Sequence, residues 1–146
     1  MPSEPFSGAK IALLCQGQVL AYQRDAKPGI PWPGLWDLPG GGREGEETPL
    51  ACALRETTEE FSLRIAPSSV VLARAYPGHA HTSLPTWFFV ARVAPGTFDQ
   101  VRFGDEGQRW AVLGTDAFID HPAAVPHLQV RLRECLGALA SQEDER

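Results

Sequence analysis

Three glutamates fix what the middle of this chain can be. Glu56, Glu59 and Glu60 follow Arg55 in the run Arg55-Glu56-Thr57-Thr58-Glu59-Glu60, and at that spacing a helix places all three carboxylates on one face. The helix is well signalled between Thr48 and Leu63. Thr48 is a good N-cap, Pro49 suits the first helical position, and Leu50, Ala53, Leu54, Thr57 and Phe61 recur as a buried stripe. Like charges at this spacing destabilise a helix by roughly 0.2–0.5 kcal/mol per pair. A lone acidic pair is ordinary solvated surface. Here the repulsion needs an offset that Arg55 supplies only in part. A hard divalent cation, which takes several carboxylate oxygens and bridges them to phosphates, explains the spacing better.

The charge balance agrees. Thirteen basic residues against eighteen acidic ones give a net charge of −5, so nothing supplies the basic face that long nucleic acid requires. A phosphate-bearing substrate would need bound cations to offset its charge. With 146 residues the expectation is one domain spanning residues 1–146. The start, MPSEPFSGAK, has no apolar core of signal-peptide length, and no apolar run reaches a membrane span. Cys15, Cys52 and Cys135 are scattered without metal-ligand spacing and read as reduced thiols of a cytoplasmic protein.

Along the chain, Lys10 to Gln23 reads as a β-hairpin around Gln16-Gly17-Gln18. The Pro/Gly-rich stretch from Arg24 to Leu35 is too broken for a helix or a central strand. Trp36-Asp37-Leu38 suggests a short strand running into Pro39-Gly40-Gly41-Gly42. Val70 to Tyr76, Thr86 to Val93 and Arg109 to Leu113 are expected strands. Thr115 is expected to cap a short helix through Phe118. A last helix is expected from near Val125 to Ala140, with Val130, Leu132, Leu136 and Leu139 on its apolar side. Strands and helices mix without strict alternation, which predicts an α+β fold or mixed-sheet sandwich.

The spacing of Gly41, Glu47, Arg55, Glu56, Glu59 and Glu60 resembles the Nudix box. With each residue type at about 6% of positions, a chance match has odds of roughly one in a hundred thousand. The resemblance covers about 23 residues directly, from Gly41 to Leu63, and implies an α/β/α sandwich with a mixed β-sheet. The family has Gly where this chain has Ser62. A left-handed helix end at Ser62 would cost about 1 kcal/mol without touching the carboxylate face.

The resemblance implies a pyrophosphohydrolase using Mg²⁺, with Mn²⁺ as a substitute. Glu56, Glu59, Glu60 and the backbone carbonyl of Gly40 would be metal ligands, and Arg55 and Glu47 would hold ligand carboxylates in place. Gly104-Asp105-Glu106-Gly107-Gln108 resembles the Glu-Gly-Gln loop of MutT-like members, which makes Glu106 the candidate general base with Asp105 adjacent. Arg24 is a candidate phosphate contact, and Trp32 and Trp36 are candidates to stack on a base, with core packing at least as good a reading of Trp36. His79 and His81 are weaker candidates for substrate contact.

The implied partner is a small nucleotide-like diphosphate, with a homodimer left open. A MutT-like nucleoside triphosphate such as 8-oxo-dGTP fits Gly34-Leu35-Trp36-Asp37-Leu38-Pro39-Gly40-Gly41. The asparagine that reads the purine in MutT-like enzymes has no counterpart in His121-Pro122-Ala123-Ala124-Val125-Pro126. ADP-ribose, nucleotide sugars and dinucleoside polyphosphates stay open. A non-catalytic binding module is the reading from another class, and the complete set of box glutamates weighs against it.

Overall fold

The computed structural model describes residues 4–78 and 84–144. The hairpin forms as the sequence predicts. Strand β1 (Gly8–Cys15) turns through Gln16 and Gly17, both at positive φ (51° and 75°), into β2 (Gln18–Gln23). Two consecutive positive-φ residues make the two-residue hairpin turn whose twist matches the flanking strands.

The hairpin pairs only near its turn, Leu14 with Val19 and Cys15 with Gln18. Beyond that point β1 and β2 splay, and the next segment fills the fork. Strand β3 (Trp36–Asp37) pairs with β2, and β4 (Gly40–Gly42) pairs with β1. Gly40 makes this fit, since at φ 135° a Cβ there would lie 2.1 Å from the Ala9 carbonyl oxygen. The Pro39 carbonyl accepts the Ile11 N–H at 2.9 Å, so the short crossing between β3 and β4 is stitched to β1.

The rest of the sheet is built from β5 (Val70–Tyr76), β6 (Thr86–Arg92) and β7 (Arg109–Gly114). Strand β6 runs parallel to β1, β5 antiparallel to β6, and β7 antiparallel along the whole of β2. The sheet is mixed, as expected.

Period-two alternation sorts the strand side chains into two cores. Ile11, Leu13, Leu20, Phe89 and Ala91 face helix α1 (Pro49–Phe61) and pack with its Cys52, Ala53 and Phe61. Ala12, Val19, Ala21, Phe88 and Val90 face α2 (Thr115–Ile119) and α3 (Pro126–Asp144), packing with Phe118, Leu128, Leu132, Cys135 and Leu139. Helices thus cover both faces of the sheet in an α/β/α sandwich. None of the described helices is long and apolar enough to cross a membrane.

Two helix expectations are corrected. Gly114 rather than Thr115 stands at the N-cap of α2, and the Thr115 N–H donates instead to the Gly17 carbonyl at 2.9 Å. On α3, Val130 is half exposed, whereas Leu128, Leu132, Cys135 and Leu139 form the buried stripe. The helix also starts at Pro126 and runs past Ala140.

Candidate active site

Helix α1 begins as its sequence dictates, with the Thr48 hydroxyl accepting the Ala51 N–H at 3.2 Å and Pro49 in the first turn. Its glutamate face is organised by Arg55. The guanidinium grips Glu47 with two bonds, Nε to Oε2 at 2.6 Å and NH2 to Oε1 at 3.1 Å. It also donates to Glu56 at 2.9 Å, to Glu59 at 3.1 Å and to the Gly42 carbonyl at 2.9 Å. Hydrogen bonding from Arg55 holds the Glu47 carboxyl below its ordinary range, and the arginine, bonded first to Glu47, is raised in turn.

The three box glutamates occupy different environments. Glu59 is over half exposed. Glu56 is largely covered and lies against the backbone of Gly41, where a Cβ would come within 2.6 Å of the Glu56 carboxyl carbon. Glu60 is buried, and its Oε1 accepts the Gly40 N–H at 3.0 Å. Burial pushes the Glu60 carboxyl up to about 7, with Lys10 and the Gly40 N–H opposing and Glu56 and Asp37 adding to the rise.

Glu106 sits on the loop between β6 and β7. One end of that loop is tied to α1 by the Gly104 N–H donating to the Glu60 carbonyl at 2.9 Å, the other to β2 by Gln108 donating to Gln23 at 2.8 Å. The exposed Glu106 side chain lines two adjoining cavities. One, of about 350 Å³, holds Glu44, Glu56, Glu59, Glu60 and Asp105. The other, of about 390 Å³, holds Glu56, Glu60, Gly40, Gly41, Gly42, Lys10, Arg24, Asp37, Trp32 and His127. Asp105 lines only the first of these two.

The box glutamates, Gly40, Glu106, Arg24 and Trp32 therefore share one region. Among the described residues, no three His, Cys, Asp or Glu side chains converge into a ready ligand set. Arg55 bridges Glu56 and Glu59, while Glu60 is turned to Gly40. The donor set still fits a hard divalent cation, being all carboxylate and carbonyl oxygen, and the bare Cα of Gly41 brings the backbone against Glu56. The Gly40 carbonyl accepts the Lys10 ammonium at 3.2 Å, and its second lone pair remains for another partner.

Trp32 is 39% exposed at the cavity rim, its ring 5.9 Å from that of His127 on the first turn of α3. Trp36 is a core residue at 8% exposure, which decides between the two readings of it. His79 and His81 lie outside the described residues.

Residues that sequence reasoning passed over stand at the centre of the fork. Asp37 is 2% exposed, yet its Oδ2 accepts bonds from Lys10 Nζ at 3.0 Å, Arg24 NH1 at 2.9 Å and the Tyr22 hydroxyl at 3.2 Å. Its Oδ1 accepts the Leu38 N–H at 2.7 Å. Burial works to raise this carboxyl, but Lys10 and Arg24 outweigh it and hold it below its ordinary range. Burial, then Asp37 and Glu60, push the Tyr22 phenol well up. The signal was available: an aspartate between Trp36 and Leu38 in a strand must be paired if it is buried.

The NUDIX domain family model matches residues 7–129. The chain belongs to the NUDIX family. Solved structures share its fold at low identity. A bifunctional NMN adenylyltransferase/ADP ribose pyrophosphatase from Francisella tularensis, complexed with AMP and a manganese ion, has a TM-score of 0.71 at 19% identity over 92% of this chain. This chain spans 43% of that enzyme's length. A MutT protein from Methanosarcina mazei has a TM-score of 0.67 at 16% identity, covering 98% of both chains. An Ap4A hydrolase from C. elegans has a TM-score of 0.66 at 21% identity, covering 92% of this chain and 98% of its own. The segment from Gly41 to Leu63 that resembles the box lies within the matched residues.

Proposed function

We propose that this NUDIX chain is a pyrophosphohydrolase that cleaves the diphosphate linkage of a small nucleoside diphosphate derivative. One observation carries the reading: Glu56, Glu60, Glu106 and the Gly40–Gly42 backbone line one cavity together with Arg24 and Trp32. That cavity holds carboxylates for cations, a guanidinium for a phosphoryl group and an aromatic rim for a base.

Glu56, Glu59, Glu60 and the Gly40 carbonyl would hold Mg²⁺, with Mn²⁺ as a substitute. A divalent cation there neutralises phosphate oxygens and lowers the pKa of water. Glu47 holds Arg55, and Arg55 sets the positions of Glu56 and Glu59. Glu106, exposed on a loop pinned at both ends, takes the proton from the attacking water as it adds to phosphorus. Arg24 binds a phosphoryl oxygen and Trp32 stacks on the base. No covalent intermediate is required, since an activated water can attack phosphorus directly.

Relatives of the same fold are described as acting on ADP-ribose and on Ap4A, and another is a MutT protein. The substrate test is therefore a panel of ADP-ribose, diadenosine tetraphosphate, nucleotide sugars and nucleoside triphosphates including 8-oxo-dGTP. Release of AMP, phosphate or pyrophosphate is followed with Mg²⁺, with Mn²⁺ and with chelator. Metal-dependent turnover of at least one member is expected. Binding without turnover across the panel would show a NUDIX binding module instead.

A further inference from the structure

The Asp37 carboxylate has two cations in direct contact, and they are used differently. All three ammonium hydrogens of Lys10 are engaged, by Asp37 Oδ2 at 3.0 Å, the Leu38 carbonyl at 3.1 Å and the Gly40 carbonyl at 3.2 Å. Lys10 is thus a pin that ties Asp37 and the β3–β4 crossing to β1, with no hydrogen left for a substrate. Arg24 gives NH1 to Asp37 at 2.9 Å and Nε to the Pro31 carbonyl at 2.9 Å. A guanidinium carries five donors in a rigid fork, so the others serve an anion in the cavity that Arg24 lines.

The charges divide this cavity. Glu56, Glu60 and Glu106 put carboxylates on one part of its wall, while Lys10 and Arg24 around Asp37 leave one net positive charge on another. A diphosphate suits such a wall, with one phosphoryl group toward the glutamates and the other toward Arg24. An arginine side chain is otherwise among the most mobile, and ordering it on binding weakens affinity. Here the folded protein has already ordered it.

Resting on the hydrolase reading above, we propose that Asp37 is a positioning residue. Pinned by Lys10, it aims the Arg24 guanidinium at the substrate phosphoryl group that lies away from the NUDIX-box glutamates.

A double-mutant cycle on Arg24→Gln and Asp37→Asn tests this, read as the affinity for pyrophosphate with Mg²⁺ by calorimetry and as KM and kcat on whichever panel substrate turns over. Each single variant is expected to weaken pyrophosphate binding and raise KM by about ten- to a hundredfold, the effect of one misplaced charge-assisted hydrogen bond. The kcat should change far less. The double variant should be no worse than either single one, because Asp37 acts through Arg24. Losses that multiply in the double variant overturn the proposal. Arg24→Lys keeps the charge at a partly exposed position and decides the matter if Asp37→Asn fails to fold. It should bind pyrophosphate as weakly as Arg24→Gln, because Lys offers no rigid fork, and wild-type binding by this variant overturns the proposal. Calorimetry needs no turnover, so wild-type protein that binds pyrophosphate but hydrolyses nothing refutes the hydrolase reading while the same titrations still decide this one.

Discussion

Arg55 and Glu47, eight residues apart, are joined by two parallel hydrogen bonds, the shorter 2.6 Å from Nε to Oε2. Glu47 also accepts the Glu44 N–H through Oε1 at 2.8 Å, so the loop entering α1 and the guanidinium that spaces Glu56 and Glu59 form one unit. Both side chains keep some solvent contact, and such pairs add little to stability. Their value lies in geometry. Glu47→Gln is expected to lower kcat/KM by about ten- to a hundredfold, the usual effect of losing the support of a ligand carboxylate, with little change in melting temperature. A variant within twofold of wild type would leave Arg55 needing no such support.

Glu59 tests the ligand set most cleanly, because its exposed side chain contributes little to folding. Glu59→Gln should fold normally and lose several orders of magnitude in turnover, through loss of ligand charge at the phosphate. Activity above about a tenth of wild type, a barrier change under roughly 1.4 kcal/mol, would remove Glu59 from the ligand set.

Glu60 makes the metal-free protein pH-sensitive. Its folded-state carboxyl stands at about 7 against an ordinary 4.5, chiefly through burial, so between those values the folded chain binds more protons than the unfolded one. The stabilising contribution is fully present below 4.5 and is lost as pH rises through 7. The difference amounts to about 3 kcal/mol at most. Asp37 and Glu47 are shifted downward and titrate below this window. Chemical denaturation in chelator should show stability falling from pH 5 to pH 8, and Glu60→Gln should flatten that slope. An unchanged slope in the variant would assign the pH effect elsewhere.

Glu106 and Asp105 separate by kinetics. Of these two, Glu106 lines both cavities and Asp105 one, so Glu106→Gln should lower kcat more than it raises KM, as expected for a group that acts in the transition state. A larger loss from Asp105→Asn moves the base by one residue.

What the sequence made legible was local. The Gln16-Gly17 turn, the Thr48 cap and the glutamate spacing are written within a few residues, and each appears where expected. The fork is not local. It depends on β1 and β2 parting so that residues 36–42 can enter, and no periodicity in either strand announces that. Asp37 draws on Lys10, Tyr22 and Arg24, 13 to 27 positions away, so its role emerges only once the sheet is assembled. Glu60 was read as a ligand, but its burial was hidden, because a hydrophobic stripe ranks Phe61 and says nothing of a carboxylate beside it. Val130 shows the opposite error, since an apolar residue on a helix is not thereby a core residue.

Ser62 ends α1 in the left-handed conformation, φ 58° and ψ 31°, with its N–H donating to the Thr58 carbonyl at 2.9 Å. For a residue with a Cβ this conformation costs roughly 1–2 kcal/mol. Glycine avoids that cost but adds freedom to the unfolded chain, worth about 0.4–1 kcal/mol the other way. The balance favours glycine by up to about 1.6 kcal/mol, a rise in melting temperature of at most roughly 3–6 °C in a domain of this size. The Ser62 side chain is exposed, so no packing is lost with it. Ser62→Gly should therefore raise the melting temperature equally with and without Mg²⁺, and turnover at 25 °C should stay at the wild-type level, because the residue lies beyond the carboxylate face. Ser62→Ala serves as the control: it keeps the Cβ and so should give no rise. A melting temperature for the glycine variant at or below that of wild type would mean that the left-handed turn is not strained, and that its conformational cost is recovered in the Thr58-Leu63 turn that surrounds it, where the Thr58 hydroxyl donates to the Leu63 carbonyl at 3.0 Å.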